Sequence, residues 1–87
     1  MPIVYLRAPL KDLAGGNRQL HVDGATVREV LRTLERDWPK TVGWILDEQG
    51  RVRRHVNVFL NGEAVREDAV VGPADLLHVL PSITGGA

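Results

Sequence analysis

Few residues in this chain belong to the types that perform chemistry directly. There are three histidines, one serine and no cysteine, so disulfides, thiol catalysis and zinc–thiolate sites are excluded. His21, His55 and His78 lack metal-ligand spacing, and no metal site is expected. The single serine, Ser82, lies in the C-terminal tail, so we do not expect a catalytic Ser-His-Asp triad. What remains is a pair of adjacent glycines close to the last residue.

The balanced charge and ordinary hydrophobic content bear on which kinds of partner the protein binds. The 87 residues carry eleven basic and eleven acidic side chains, with 44% hydrophobic and 25% charged residues. A net charge of zero argues against a general nucleic-acid or membrane-surface binder. No stretch approaches the roughly 20 apolar residues of a membrane span, and the N-terminal residues lack a signal-peptide pattern. We therefore expect a cytoplasmic protein with one small core and little room for a catalytic cavity.

The first half of the chain predicts a hairpin followed by a helix. Residues 3–8 and 18–23 have strand character, and residues 9–17 form the break between them. Thr26 and Glu29 form a capping box. The apolar residues after Thr26 share one helical face, and Pro39 should end the helix near residue 37. That face comprises Val27, Val30, Leu31, Leu34 and Trp38.

The second half predicts a loop and three strands. In residues 40–50, a short helical turn or packed loop should complete the core with Trp44, Ile45 and Leu46. Residues 55–60 alternate as a strand, and Asn61-Gly62 predicts a two-residue turn into a short partner strand. Residues 76–80 form the last strand, which Pro81 ends.

This order of elements predicts an α+β protein of the β-grasp, or ubiquitin-like, class. We expect a mixed sheet of four to five strands with one main helix packed across it. The domain should span residues 1–81, and residues 82–87 should form a flexible C-terminal tail because adjacent glycines order poorly at an unanchored chain end.

Three sequence segments carry a family resemblance. They are ATVREVL at 25–31, HVNVFLNGE at 55–63, and Leu80-Pro81 followed by Gly85-Gly86. Together they resemble the MoaD/ThiS family of small sulfur-carrier proteins, in the right order over nearly the whole chain. The resemblance implies that an E1-like enzyme adenylates the terminal glycine with ATP. Sulfur then displaces AMP to form a thiocarboxylate, so the chain is expected to be a carrier, with no bound cofactor, rather than an enzyme.

The tail departs from the family pattern at one position. Carriers of this family end on the second glycine, whereas here Ala87 follows Gly86, preceded by Thr84 and Gly85. Three explanations account for Ala87: a protease removes it, the activating enzyme tolerates it, or the protein has lost the carrier function. We favour trimming, which in related carriers is performed by a zinc metalloprotease, and Gly86 is then the site of adenylation and thiocarboxylate formation.

Strand alternation predicts a partner-binding face at the root of the tail. If the residues at 56, 58, 60, 77 and 79 point inward, the intervening residues point outward. The predicted face consists of Phe59, Leu80, His78 and Leu76, joined by Tyr5 and Arg7. Apolar and aromatic residues beside arginine are typical of interfaces. The alternative is a register slipped by one, with Phe59 in the core.

Several functions remain open from the sequence. Residues 53–58 resemble carriers that serve a cysteine synthase, which we favour as the sulfur acceptor, whereas Pro81 with Thr84-Gly85-Gly86 resembles the small subunit of molybdopterin synthase. Thiamine synthesis and tRNA thiolation are also possible destinations. A ubiquitin-like modifier joined through Gly86 to lysines, and a plain interaction module, are the alternatives from other classes.

Overall fold

The fold is built on a single mixed sheet, described over residues 1–81 by a computed structural model. Its strands are Ile3–Leu6 (β1), Gln19–His21 (β2), Val56–Leu60 (β3), Glu63–Val65 (β4) and Leu76–Pro81 (β5). Their order across the sheet is β2-β1-β5-β3-β4. β1 and β5 run parallel, and the other neighbouring pairs are antiparallel. This is the predicted β-grasp sheet, with the last strand at its centre.

The main helix, α2 (Val27–Asp37), begins and ends as its sequence predicts. The Thr26 hydroxyl accepts a hydrogen bond from the Glu29 backbone N–H at 3.2 Å. The Glu29 carboxylate accepts from the N–H of Ala25 at 3.1 Å, one residue before the cap. Trp38 leaves the helical region at φ −130° and ψ 77°, as the residue before a proline is expected to do. A 3-10 helix, Pro39–Thr41, follows.

The core lies between α2 and one face of the sheet. The predicted helix face is confirmed: Val27, Val30, Leu31 and Leu34 are fully buried, and Trp38 packs against them partly exposed. From the sheet, the buried partners are Val4, Leu6, Val56, Val58, Leu77 and Val79. Because β1, β3 and β5 all contribute to this layer, β5 is packed on its inner face and paired along both edges.

The prediction for the loop after α2 is partly wrong. Ile45 and Leu46 are buried, but the Trp44 side chain is 45% exposed. Gly43 turns the chain at φ +87°, and Trp44 donates its backbone N–H to Thr41. The next two residues then turn inward, where Leu46 bridges Val52. Trp44 is left on the surface.

The break between the first two strands contains a helix that the sequence analysis missed. Residues 10–13 form a single turn, α1 (Leu10–Leu13), whose Leu10 is fully buried. The flanking strands are shorter than predicted, with β1 ending at Leu6 and β2 beginning at Gln19. A buried leucine inside a connection rich in Pro and Gly is a tertiary effect, because one helical turn has little intrinsic stability.

The predicted hairpin turn at Asn61-Gly62 is confirmed. Both residues have positive φ, at 50° and 88°, as a type I′ turn requires. The Asn61 amide also reaches β5: its oxygen accepts from Leu76 N–H at 2.9 Å, and its nitrogen donates to the Asp75 carboxylate at 3.0 Å. These bonds fix the start of β5 and hence the register of the strand that leads into the tail.

None of the helices within residues 1–81 is long and apolar enough to cross a membrane.

Candidate functional site

The predicted alternation of β3 and β5 is confirmed. Val58, Leu77 and Val79 are 0–2% exposed on the helix side of the sheet. Phe59, one residue from Val58, is partly exposed and lies outside the buried cluster. The slipped-register alternative is therefore wrong, and the side chains between these core residues point to the outer face of the sheet.

A row of aromatic rings crosses this outer face. The strand register places Tyr5 of β1 and Phe59 of β3 on either side of His78 in β5. The Tyr5 and His78 rings stack with centroids 4.6 Å apart and planes inclined by 8°. Three chain segments distant in sequence thus build one surface, and stacking holds two of its rings in place.

The outer face deepens into a groove at the end of β5. We call it the tail-root groove; its cavity volume is about 460 Å³. Its lining residues are Tyr5, Leu6, Arg7, Ala8, Lys11, Arg18, His78 and Leu80. The groove borders Pro81, which pairs with Val56 and is the last residue described. The groove therefore lies beside the end of the described chain.

The structure places four of the six predicted face residues in the groove and two outside it. Tyr5, Arg7, His78 and Leu80 line the tail-root groove. Phe59 lies next to His78 in the sheet but outside the groove. Leu76 is at the other end of β5, opposite Ile3. The tail residues Thr84, Gly85, Gly86 and Ala87 lie outside the described residues.

Sequence reasoning missed two basic residues of the groove. Lys11 belongs to α1, the helical turn that lies within the predicted break. Arg18 lies just before β2, and its carbonyl accepts from the Leu6 N–H at 2.8 Å. The predicted hairpin carried a signal for Arg18, because antiparallel pairing returns the second strand to the end of the first. Nothing in the sequence pattern signalled Lys11.

The groove is basic although the whole chain is neutral. Its lining includes Arg7, Lys11 and Arg18 and contains no carboxylate. The ion pairs found within residues 1–81 lie elsewhere, at Arg32–Glu35, Arg36–Asp37 and Arg66–Glu67. A region of one charge sign, open to solvent, attracts groups of the opposite sign.

Acidic side chains with shifted pKa values lie away from the groove. Hydrogen bonds from Asn61 and the Gly72 N–H hold the pKa of Asp75 below its usual value, at the opposite end of β5. Hydrogen bonds from the backbone N–H groups of Arg51 and Gln49 lower the pKa of Asp47. Among the described residues, no cluster of three or more His, Cys, Asp or Glu could hold a metal. What the groove brings together is cationic, aromatic and apolar side chains.

A mixed sheet with a parallel central pair, one crossing helix and an exposed face beside the C-terminal strand defines a ubiquitin-like protein of the β-grasp class. The ThiS family matches residues 4–86. This chain therefore belongs to the ThiS family, as its sequence motifs indicate.

Its relatives are small modifier and carrier proteins rather than enzymes. The chain is 40% identical over 68 residues to small archaeal modifier protein 3 of Haloferax volcanii, covering 74% of this chain and 73% of that protein. It is 26% identical to the sulfur carrier protein CysO of Mycobacterium tuberculosis, covering 88% and 89%. The BexX/CysO complex of Amycolatopsis orientalis contains a similar structure, with a TM-score of 0.88, 27% identity and coverage of 94% and 96%. The chain is thus a ubiquitin-like carrier or modifier.

Proposed function

We propose that this chain is a sulfur carrier whose reactive group is the carboxylate of Gly86, exposed when Ala87 is removed. In the first step, that carboxylate attacks the α-phosphate of ATP, forming an acyl-adenylate and releasing pyrophosphate. In the second step, a sulfur donor attacks the acyl carbon and AMP leaves, so that a thiocarboxylate replaces the carboxylate. An E1-like adenylating enzyme provides the catalytic residues and binds the ATP.

The observation that carries this proposal is the placement of the tail root. β5 pairs with β1 as far as Val79 and with β3 as far as Pro81. The tail thus begins at a fixed point, beside a groove open to a partner. Glycines at 85 and 86 suit a carboxylate that enters a narrow active site, since they bring no side chains and adopt many backbone conformations.

Sulfur transfer to a cysteine-synthase-like enzyme is the destination we favour. The likeness to CysO supports it, since that relative is named a sulfur carrier and a similar structure was solved together with a partner, BexX. On this route a metalloprotease first removes Ala87, because an amide bond occupies the Gly86 carboxyl in the full chain.

Reconstitution with an E1-like enzyme from the same cells tests the proposal. The chain ending at Gly86, the full chain and a chain lacking Gly86 and Ala87 are incubated with ATP, the enzyme and sulfide. We expect the first to form an adenylate and then a thiocarboxylate, detected by intact mass. The full chain should react only after a metalloprotease is added. Equal reaction of all three chains would contradict a role for Gly86.

A second candidate function is protein modification through the same carboxyl group. The 40% identity to small archaeal modifier protein 3 favours it. Activation is common to both functions, so the product separates them: a modifier gives isopeptide bonds between Gly86 and lysines of other proteins. Because the last tryptic site of this chain is Arg66, a modified lysine would carry residues 67–86 as a branched remnant after trypsin digestion. Peptides with that remnant, lost on deletion of Gly86, would support modification; a free thiocarboxylate would support the carrier.

A further inference from the structure

We propose that the tail-root groove is the docking site for an acidic segment of the E1-like activating enzyme, whose carboxylates bind Arg7, Lys11 and Arg18. This inference rests on the proposed function, because it assigns the surface through which the activating enzyme recognises the chain. The occupant is a protein segment with at least two carboxylates beside an apolar side chain.

The first argument is the charge of the groove. The three cations share a lining without a carboxylate, although the chain has as many acidic as basic residues. Arg7 and Arg18 are exposed and Lys11 is half-buried, and none of them forms an ion pair within residues 1–81. Like charges placed together repel, and a partner's carboxylates would relieve that repulsion.

The second argument is that the groove joins these cations to apolar surface. Leu80 and Tyr5 form part of the lining beside Arg7. Aromatic and apolar groups with arginine at the edge are the composition of protein interfaces. RNA is a poorer fit, because single-stranded bases need exposed aromatic faces for stacking, and Tyr5 already stacks on His78.

The third argument is position. Arg7 directly follows Leu6, which pairs with Val79, so Arg7 is level with Leu80, the residue before Pro81. Carboxylates bound here would fix the activating enzyme at the point where the tail leaves the sheet. Contacts at exposed charges act mainly on the rate of encounter. Charge reversal should therefore raise the KM for this chain and leave kcat unchanged.

A binding experiment tests the groove directly. Amide NMR shifts of the full chain are followed while a hexaglutamate peptide, a hexalysine peptide or hexauridine RNA is added. We expect hexaglutamate to shift the amides of Tyr5, Arg7, Lys11, Arg18 and His78, and hexalysine to shift none of them. Hexauridine binding the groove more tightly than hexaglutamate would overturn the proposal in favour of RNA. Shifts confined to α2, or none, would overturn it outright.

An activation experiment then tests the partner. Pyrophosphate release by the E1-like enzyme is measured with the chain ending at Gly86, carrying Arg7→Glu with Lys11→Glu. The matched control, Arg36→Glu with Arg51→Glu, makes the same change in net charge on exposed residues away from the groove. We expect the groove variant to raise KM about tenfold or more at low salt, with kcat unchanged, and the control to stay within about twofold.

The outcomes separate the two proposals. If the unsubstituted chain is activated but the groove and control variants behave alike, the docking inference is wrong and the proposed function stands. If the unsubstituted chain is not activated at all, the proposed function fails and the inference falls with it. Far-UV circular dichroism of each variant confirms that the fold is retained, so that a raised KM reports docking.

Discussion

The two faces of β5 place similar side chains in opposite surroundings. Leu77 and Val79 are fully buried against α2, whereas Leu80, in the same strand, lines the tail-root groove. The inner residues belong to the core that holds the strand, and the outer ones are partly exposed. The two-residue period of its side chains thus gives one six-residue strand a buried face and a partly exposed face, and we expect the first to supply stability and the second recognition.

The basic residues show the same division. On α2, Arg28 donates to the Gly50 carbonyl at 2.8 Å, and Arg32 pairs with the buried Glu35 at 3.1 Å. In the groove, Arg7 and Arg18 are exposed without an ion pair among residues 1–81. Arginines on the helix are therefore expected to contribute to stability, and those in the groove to binding.

The largest difference is expected between two leucines of β5. Leu77→Ala removes a fully buried side chain and should lower the free energy of unfolding by about 2–5 kcal/mol. Leu80→Ala, on the partly exposed outer face, should lower it by less than about 1 kcal/mol. Urea denaturation followed by circular dichroism measures both. Equal losses would show that the two faces do not differ as described.

A smaller difference is expected between two arginines. Glu35 is 5% exposed, and its second oxygen has no hydrogen-bond partner within residues 1–81. Arg32→Ala removes the partner of its first oxygen and should cost about 1–3 kcal/mol, at the low end because Arg32 is half exposed. Arg7→Ala should change stability by less than about 0.5 kcal/mol. A loss from Arg7→Ala as large as that from Arg32→Ala would mean that Arg7 has a structural role.

A substitution at the cap of α2 is expected to change stability without changing partner binding. Thr26→Ala removes the acceptor of the Glu29 N–H and should cost about 1 kcal/mol of unfolding free energy. Thr26→Ser, which keeps the hydroxyl, is the control. Activation by the E1-like enzyme should be unaffected by either substitution at a temperature where both are folded; a raised KM for Thr26→Ala would contradict the separation of the two faces.

The smallest expected effect is the pH dependence that Asp75 contributes. Its pKa is lowered in the folded chain by hydrogen bonds from Asn61 and Gly72. A lowered folded-state pKa stabilises the fold above the unfolded-state pKa, about 3.9, and that contribution disappears as the pH falls through the folded value. Asp75→Asn should therefore flatten the stability profile in this acidic window. Unfolding at a series of pH values from 2 to 6 measures it, and identical profiles would contradict the assignment.

Local signals explain which parts of the fold were predictable. The capping box at Thr26 and the Asn61-Gly62 turn each act within a few residues, and both appear in the structure as expected. The alternation of β3 and β5 placed Phe59 outside the core correctly. Short-range hydrogen bonding and the two-residue period of a strand are properties that a sequence carries without reference to its tertiary fold.

Long-range packing explains what was missed. Tryptophan is a residue type common in cores, but the turn at Gly43 leaves Trp44 exposed. The groove needs Lys11 from α1 and Arg18 from the start of β2 to meet the end of β5. These three segments come together only because the first and last strands pair in parallel, and no local sequence pattern specifies that pairing. The sequence therefore predicted the outer face but not its basic groove.

The most direct test of the central claim is the intact mass of the protein isolated from its own cells under conditions that preserve thiocarboxylates. We predict a chain ending at Gly86, with a fraction in which sulfur replaces one carboxylate oxygen. This fraction should disappear when the gene for the E1-like enzyme is deleted. A population that ends at Ala87 throughout, or that carries no sulfur when the enzyme is present, would contradict the proposal that Gly86 carries sulfur.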